Sequence, residues 1–166
     1  MKKQLMVLLC ALTLLTVTPA SAQTNYAAAC GATTVLNVAY DENAFELDTE
    51  SYLASSRGSH TWLGIFYNGS YTVELAADRY GDLPADSELN QLADYLCGAL
   101  AQEQCQKIDT YGAFAIFSLS GPTGNSYYAA TLSHGYVVHF EIYNMRGGVD
   151  ASALSTLKKL LNGVSK

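Results

Sequence analysis

The sequence predicts an α+β domain. Its expected architecture is a mainly antiparallel sheet of about six or seven strands, with one long central helix and a C-terminal helix packed on it. Three observations lead there. Two β-rich pairs of segments surround tight-turn dipeptides, Asn68-Gly69 and His134-Gly135. A leucine stripe at helical spacing, Leu89, Leu92, Ala93, Leu96 and Leu100, lies between them. A second stripe, Leu154, Leu157, Leu160 and Leu161, comes near the C-terminus.

The first 22 residues read as a secretory signal peptide. Met1-Lys2-Lys3 is a basic start, Leu5 to Val17 is an apolar run, and Pro19-Ala20-Ser21-Ala22 is a small-residue cleavage site. Cleavage after Ala22 makes Gln23 the first mature residue. The run is too short for a stable anchor. Cys10 raises a lipoprotein reading, but it follows Leu9 early in the run, which favours simple cleavage. The protein is expected to be exported, periplasmic or extracellular, and the compact signal looks bacterial.

Residues 23–166 then form one domain. That length buries a core without metal support. The whole chain carries a net charge of −6, and loss of Lys2 and Lys3 takes the mature chain to −8. Such a balance argues against nucleic acid and anionic membranes. The 12 tyrosines suit strand pairing and binding surfaces alike.

Residues 23–32 are small and polar and read as a loose lead-in. Thr33 to Tyr40 reads as a strand, and Phe45 to Asp48 as a short one. Residues 51–59 read as a loop. Thr61–Tyr67 and Ser70–Arg79 read as a hairpin on Asn68-Gly69. That turn pairs Phe66 with Tyr71, Gly64 with Val73 and Trp62 with Leu75 on a core face. Leu63 and Ile65 then face Glu74 and Thr72 on the other.

Asp86 or Ser87 can cap the leucine-rich helix, which is expected to end near Gln102. Ile108 to Ser120 reads as one strand with Gly112 as a bulge. Ser126–Ser133 and Tyr136–Asn144 form the second hairpin. Asp150 caps the last helix and Gly163 stops it.

Three cysteines remain in the mature chain: Cys30, Cys97 and Cys105. Export permits disulfides, but three thiols cannot all pair internally. Cys97 and Cys105 would sit ~12 Å apart on one helix, too far for a bond. They can pair only if the helix ends before Cys105 and the chain turns back. Pairings of Cys30 with either stay open.

The order of elements resembles the PsbP-like superfamily, whose best-known members are extrinsic photosystem subunits. The residues that carry the resemblance are Tyr40-Asp41-Glu42-Asn43-Ala44-Phe45-Glu46-Leu47, the helix Leu89–Leu100, and Ile108 followed by Gly112-Ala113-Phe114-Ala115. The resemblance covers nearly all of the mature chain, without the Pro…Gly-Trp element often found after the opening strand. It implies a non-enzymatic accessory or binding role outside the cytoplasm. The superfamily shares no catalytic set, so it assigns no catalytic residue here.

The second hairpin holds the best candidate site. A two-residue turn at His134-Gly135 sets Ala130 opposite His139 and Tyr128 opposite Glu141. Tyr128, His139, Glu141 and Tyr143 then share one face. Imidazole beside carboxylate suits proton transfer or the holding of one metal, and the face reads as a ligand-binding candidate. The plain alternative is an ordinary cross-strand polar cluster.

Other patterns carry less. His60, His134 and His139 lack the spacing of a zinc set. Gly121-Pro122-Thr123-Gly124-Asn125-Ser126 lacks the lysine and helix of a phosphate loop. Asp41, Glu42, Glu46, Asp48 and Glu50 lack the order of a calcium loop. No serine sits in a nucleophile elbow. No catalytic residue, metal or cofactor is expected. Two roles follow: a module that docks to a protein partner in the envelope or outside the cell, or a small-ligand or cation carrier built on the second hairpin face. An enzyme is the least supported class.

Overall fold

The computed structural model describes residues 22–50, 59–79, 89–99, 104–121, 124–144 and 146–166. Residues 1–21 of the expected signal peptide and the expected Asp86 or Ser87 cap lie outside the described residues. Ten strands and two helices run in the order β1 (Gln23–Cys30), β2 (Thr33–Asp41), β3 (Glu46–Asp48), β4 (His60–Asn68), β5 (Tyr71–Asp78), α1 (Leu89–Ala99), β6 (Gln104–Tyr111), β7 (Phe114–Gly121), β8 (Gly124–Ser133), β9 (Tyr136–Tyr143), α2 (Ala151–Leu161) and β10 (Val164–Ser165).

The strands form two antiparallel sheets. The larger is ordered β3-β4-β5-β9-β8-β7-β6, and the smaller β1-β2-β10. This corrects the expected architecture. Among the described residues there is no long central helix: α1 and α2 cover 11 residues each, and strands dominate. Two misread segments account for much of the difference. Residues 23–30, expected as a lead-in, form β1, paired along its length with β2. Ile108–Ser120, expected as one strand, is two: Gly112 takes φ +57° and turns β6 back as β7, with Tyr111 facing Phe114. A positive φ favours glycine, so the residue marks a turn here and not a bulge.

The inner face of the large sheet packs on the small sheet and α2. Phe66, Leu75, Ile116, Phe140 and Ile142 meet Val35, Leu36, Val38, Leu157 and Leu160 in one buried cluster. Each large apolar side chain buried there stabilises the fold by ~1.5–3 kcal/mol. Asp150 starts α2 by accepting from the Ser152 and Ala153 amides. Gly163 ends it where the chain touches β2. The Ala39 amide donates to the Gly163 carbonyl at 2.8 Å, and a Cβ on Gly163 would lie 1.8 Å from the Ala39 carbonyl oxygen.

On the outer face, α1 covers β7 and β8. Leu92 and Leu96 pack on Ala115, Phe117, Leu119, Tyr128 and Ala130. The Cys97–Cys105 disulfide ties α1 to β6, with Cα atoms 5.3 Å apart. Cys105 lies in β6, which begins at Gln104, so the helix is over before Cys105, as that bond requires. Cys30 is free and buried.

The first hairpin keeps its expected pairing of strands but slips by two residues. Phe66 faces Val73, and Asn68 faces Tyr71. Asn68 stays in the strand because its side chain donates to the Ala44 carbonyl at 2.7 Å. The turn therefore falls on Gly69 and Ser70. A slip of two preserves which residues share a face. A bulge at Leu63 does not: Gly64 faces Leu75, yet Trp62 faces Ala76. One extra residue sends Trp62 from the expected core face to the outer face.

Candidate functional site

The bulge and the second hairpin build a polar cluster on the outer face of β4, β5, β8 and β9. His134 (φ +52°) and Gly135 (φ +78°) form the second turn. Both central residues of a type I′ turn need that sign. The turn sets Ala130 opposite His139 and Tyr128 opposite Glu141. On its other side β9 pairs with β5, placing Ala76 beside His139 and Glu74 beside Glu141. His139 is thus flanked by two alanines.

The His139 side chain is 7% exposed. It stacks on the Tyr128 ring with centroids 4.6 Å apart and a tilt of 24°. Its Nδ1 lies 3.3 Å from Asp78 Oδ2, within ion-pair range. The two are not aligned for a hydrogen bond, and Nδ1 is buried without a hydrogen-bond partner. Asp78 holds a second imidazole more firmly, with His60 Nδ1 at 2.7 Å from Oδ1. The two histidine rings lie 6.0 Å apart, and His60 meets Trp62 edge-on at 4.8 Å. Burial, helped by the nearby His60, holds the His139 imidazole down to about 3. The ring is therefore neutral at physiological pH.

Farther along the face, Ser126 Oγ donates to Glu141 Oε1 at 2.7 Å. The Tyr143 hydroxyl donates to Glu74 Oε1. Burial raises Glu74, against smaller opposing effects from that hydroxyl and from His60. An open cleft of ≈ 490 Å³ lies at the turn end of the first hairpin, lined by Glu46, Tyr67, Thr72 and Arg146 among others. It does not include His139.

All four residues singled out in the sequence, Tyr128, His139, Glu141 and Tyr143, thus lie on one face. His139 and Glu141 do not pair with each other directly as acid and base. Each has a different neighbour: Asp78 for His139, Ser126 for Glu141. The sequence reading missed His60, Asp78 and Glu74 as members of the cluster. The expected register puts Glu74 opposite Leu63, whereas the two-residue slip puts it opposite Ile65. The signal available was Asp78 at the end of an alternating strand, across the first hairpin from His60. His134 stays in its turn, bonded to Ser133 at 2.9 Å, away from the other histidines. Among the described residues no group of three His, Cys, Asp or Glu side chains is placed to hold a metal ion. Also among them, no helix is long and apolar enough to cross a membrane.

No family model matches the chain, and no curated protein matches it. Among solved structures, cyanobacterial PsbP (CyanoP) from Synechocystis sp. PCC 6803 is similar over 90% of this chain and 95% of its own, with a TM-score of 0.47 and 11% identity. The likeness is one of fold, and no residue role is carried over from it.

Proposed function

We propose that the protein is a non-enzymatic binding domain that works outside the cytoplasm, with its ligand site on the outer face around His139 and Glu141. The observation that carries this reading is the Nδ1 of His139: buried, neutral and without a hydrogen-bond partner. A buried polar atom left unpaired costs ~1–3 kcal/mol. A fold keeps such a cost where something else completes the bond. Export is supported by the signal-like start, by β1 opening at Gln23 just past the expected cleavage site, and by the Cys97–Cys105 bond.

The role that the sequence put first, docking to an envelope or extracellular protein, calls for an exposed aromatic surface. Among the described residues only Tyr67 (38%) and Ile108 (41%) are exposed large hydrophobics, and they stand on different strands. Weight therefore moves to the small ligand.

The test is native mass spectrometry of the mature protein purified from its own host. His139→Phe serves as control, because the ring stays to stack on Tyr128 while the nitrogens go. The reading expects a stoichiometric small-mass adduct on the native protein that the variant lacks. Identical spectra from two folded proteins would refute it. A co-purifying envelope protein retained by the variant would favour docking elsewhere.

A further inference from the structure

We propose that the outer face formed by β3, β4, β5 and β9 selects a small organic ammonium ligand, such as an alkyl diamine. This rests on the binding role given above and names the chemical class that the same site takes.

The composition of the face is the first observation. The strands β3, β4, β5, β8 and β9 contain five acidic residues: Glu46, Asp48, Glu74, Asp78 and Glu141. The register puts every one on the outer face. Asp48, Ile65, Glu74 and Glu141 form a single row across four strands, with Glu46 and Asp78 on the same side. None of these five strands contains a Lys or Arg. A solvated sheet face ordinarily mixes signs, because like charges directly opposite destabilise a sheet. Here Glu74 and Glu141 are direct cross-strand neighbours.

The second observation is independent of charge count. Nδ1 of His139 is unpartnered at 7% residue exposure, and it sits beside Asp78 Oδ2. A neutral imidazole nitrogen and a carboxylate oxygen 3.3 Å apart are satisfied together by one donor nitrogen seated beside the pair, giving a separate N–H to each at hydrogen-bond distance. An ammonium group supplies that nitrogen with a complementary charge. A neutral His139 also brings no competing positive charge to the face.

The third observation is aromatic. Trp62, Tyr128, Tyr143 and Tyr67 share this face with the acids, and an ammonium group is attracted to such rings. The Leu63 bulge is what brings Trp62 here. Carboxylates spread along one row favour a ligand with two positive ends over a single point charge.

Trp62 is the only tryptophan in the chain, so its indole N–H is a clean reporter. The experiment follows that resonance, and the His139 imidazole, by NMR of the disulfide-bonded mature protein at about pH 7.5, where alkyl ammonium groups stay charged. Cadaverine is the probe, and pentanediol is its neutral counterpart. The proposal expects saturable shifts with cadaverine, none with pentanediol, and affinity that falls as salt rises. The double variant Glu74→Gln, Glu141→Gln should weaken cadaverine by roughly tenfold or more while keeping its near-UV circular dichroism. Equal shifts from the diol, undiminished binding by the double variant, or no saturable shift would overturn the proposal. A native adduct lost with His139→Phe, together with no response to cadaverine, would leave the site standing and reject only the ligand class.

Discussion

Glu74 and Glu141 face each other directly across β5 and β9, each held by a hydroxyl: Tyr143 for the first, Ser126 for the second. Burial raises Glu74, so its ionisation opposes folding. The sign is fixed by which state binds the proton more tightly. The folded protein does, so Glu74 favours the fold below its unfolded pKa. That benefit is lost as pH rises through the folded value. Glu74→Gln should therefore be more stable than wild type at neutral pH and lose that margin on acidification to about pH 4. Urea midpoints at the two pH values check it; a margin that grows in acid would contradict the assignment.

His139 works in the opposite direction. Its folded value is held near 3 by burial, below the ordinary 6.5. The unfolded chain binds the proton more tightly, so stability falls as pH drops from 6.5 toward 3. At about 1.4 kcal/mol per unit the loss amounts to a few kcal/mol for a side chain this buried. His139→Phe removes the titration and should flatten the stability profile between about pH 7 and pH 4.5. Urea unfolding across that range measures the slope. A variant as acid-sensitive as wild type would place the titration at another group.

The cysteines give a chemical prediction. Alkylation of the unfolded, unreduced mature protein should label Cys30 alone, because Cys97 and Cys105 are joined. Opening the bond by Cys97→Ala with Cys105→Ala should cost ~2–3 kcal/mol, the chain-entropy value for so short a loop. Peptide mapping by mass spectrometry decides the pairing, and thermal unfolding the cost.

Gly163 offers a test of packing. Its φ is not in the left-handed region, so an ordinary helix-stop role does not require glycine there. Contact does: a Cβ would collide with the Ala39 carbonyl. Gly163→Ala should destabilise by ~1–3 kcal/mol through forced backbone movement. An unchanged melting temperature would show that the two segments separate without cost.

The sequence made the second hairpin fully legible, because His134-Gly135 fixes register through its own backbone preferences. It made α2 legible through Asp150 and the leucine spacing. The first hairpin was readable in face but not in register, since Asn68 is drawn into the strand by Ala44, a contact remote in sequence. The Leu63 bulge left no local mark, and with it went the arrival of Trp62 beside His60. β1 was hidden because Gln23 to Cys30 holds only Thr24 and Tyr26 as strand formers beside Asn25 and three alanines; pairing with β2 overrides that weak propensity. The candidate site was visible as four residues on one strand pair. Its other half, His60, Asp78 and Glu74, depends on which strand lies next to β9, and a sequence does not print strand order.

The small sheet carries a consequence for how the chain matures. Its middle strand β2 gains its second neighbour only from β10, where Val164 pairs with Val38. One of the earliest strands to emerge from the ribosome thus waits for one of the last. Until then β2 keeps an open edge, and the apolar floor beneath α2 stays uncovered. Such distant closure is slow relative to local hairpin formation. A chain wired this way closes its small sheet only after its last strand has been made, so the earliest segment sets together with the latest.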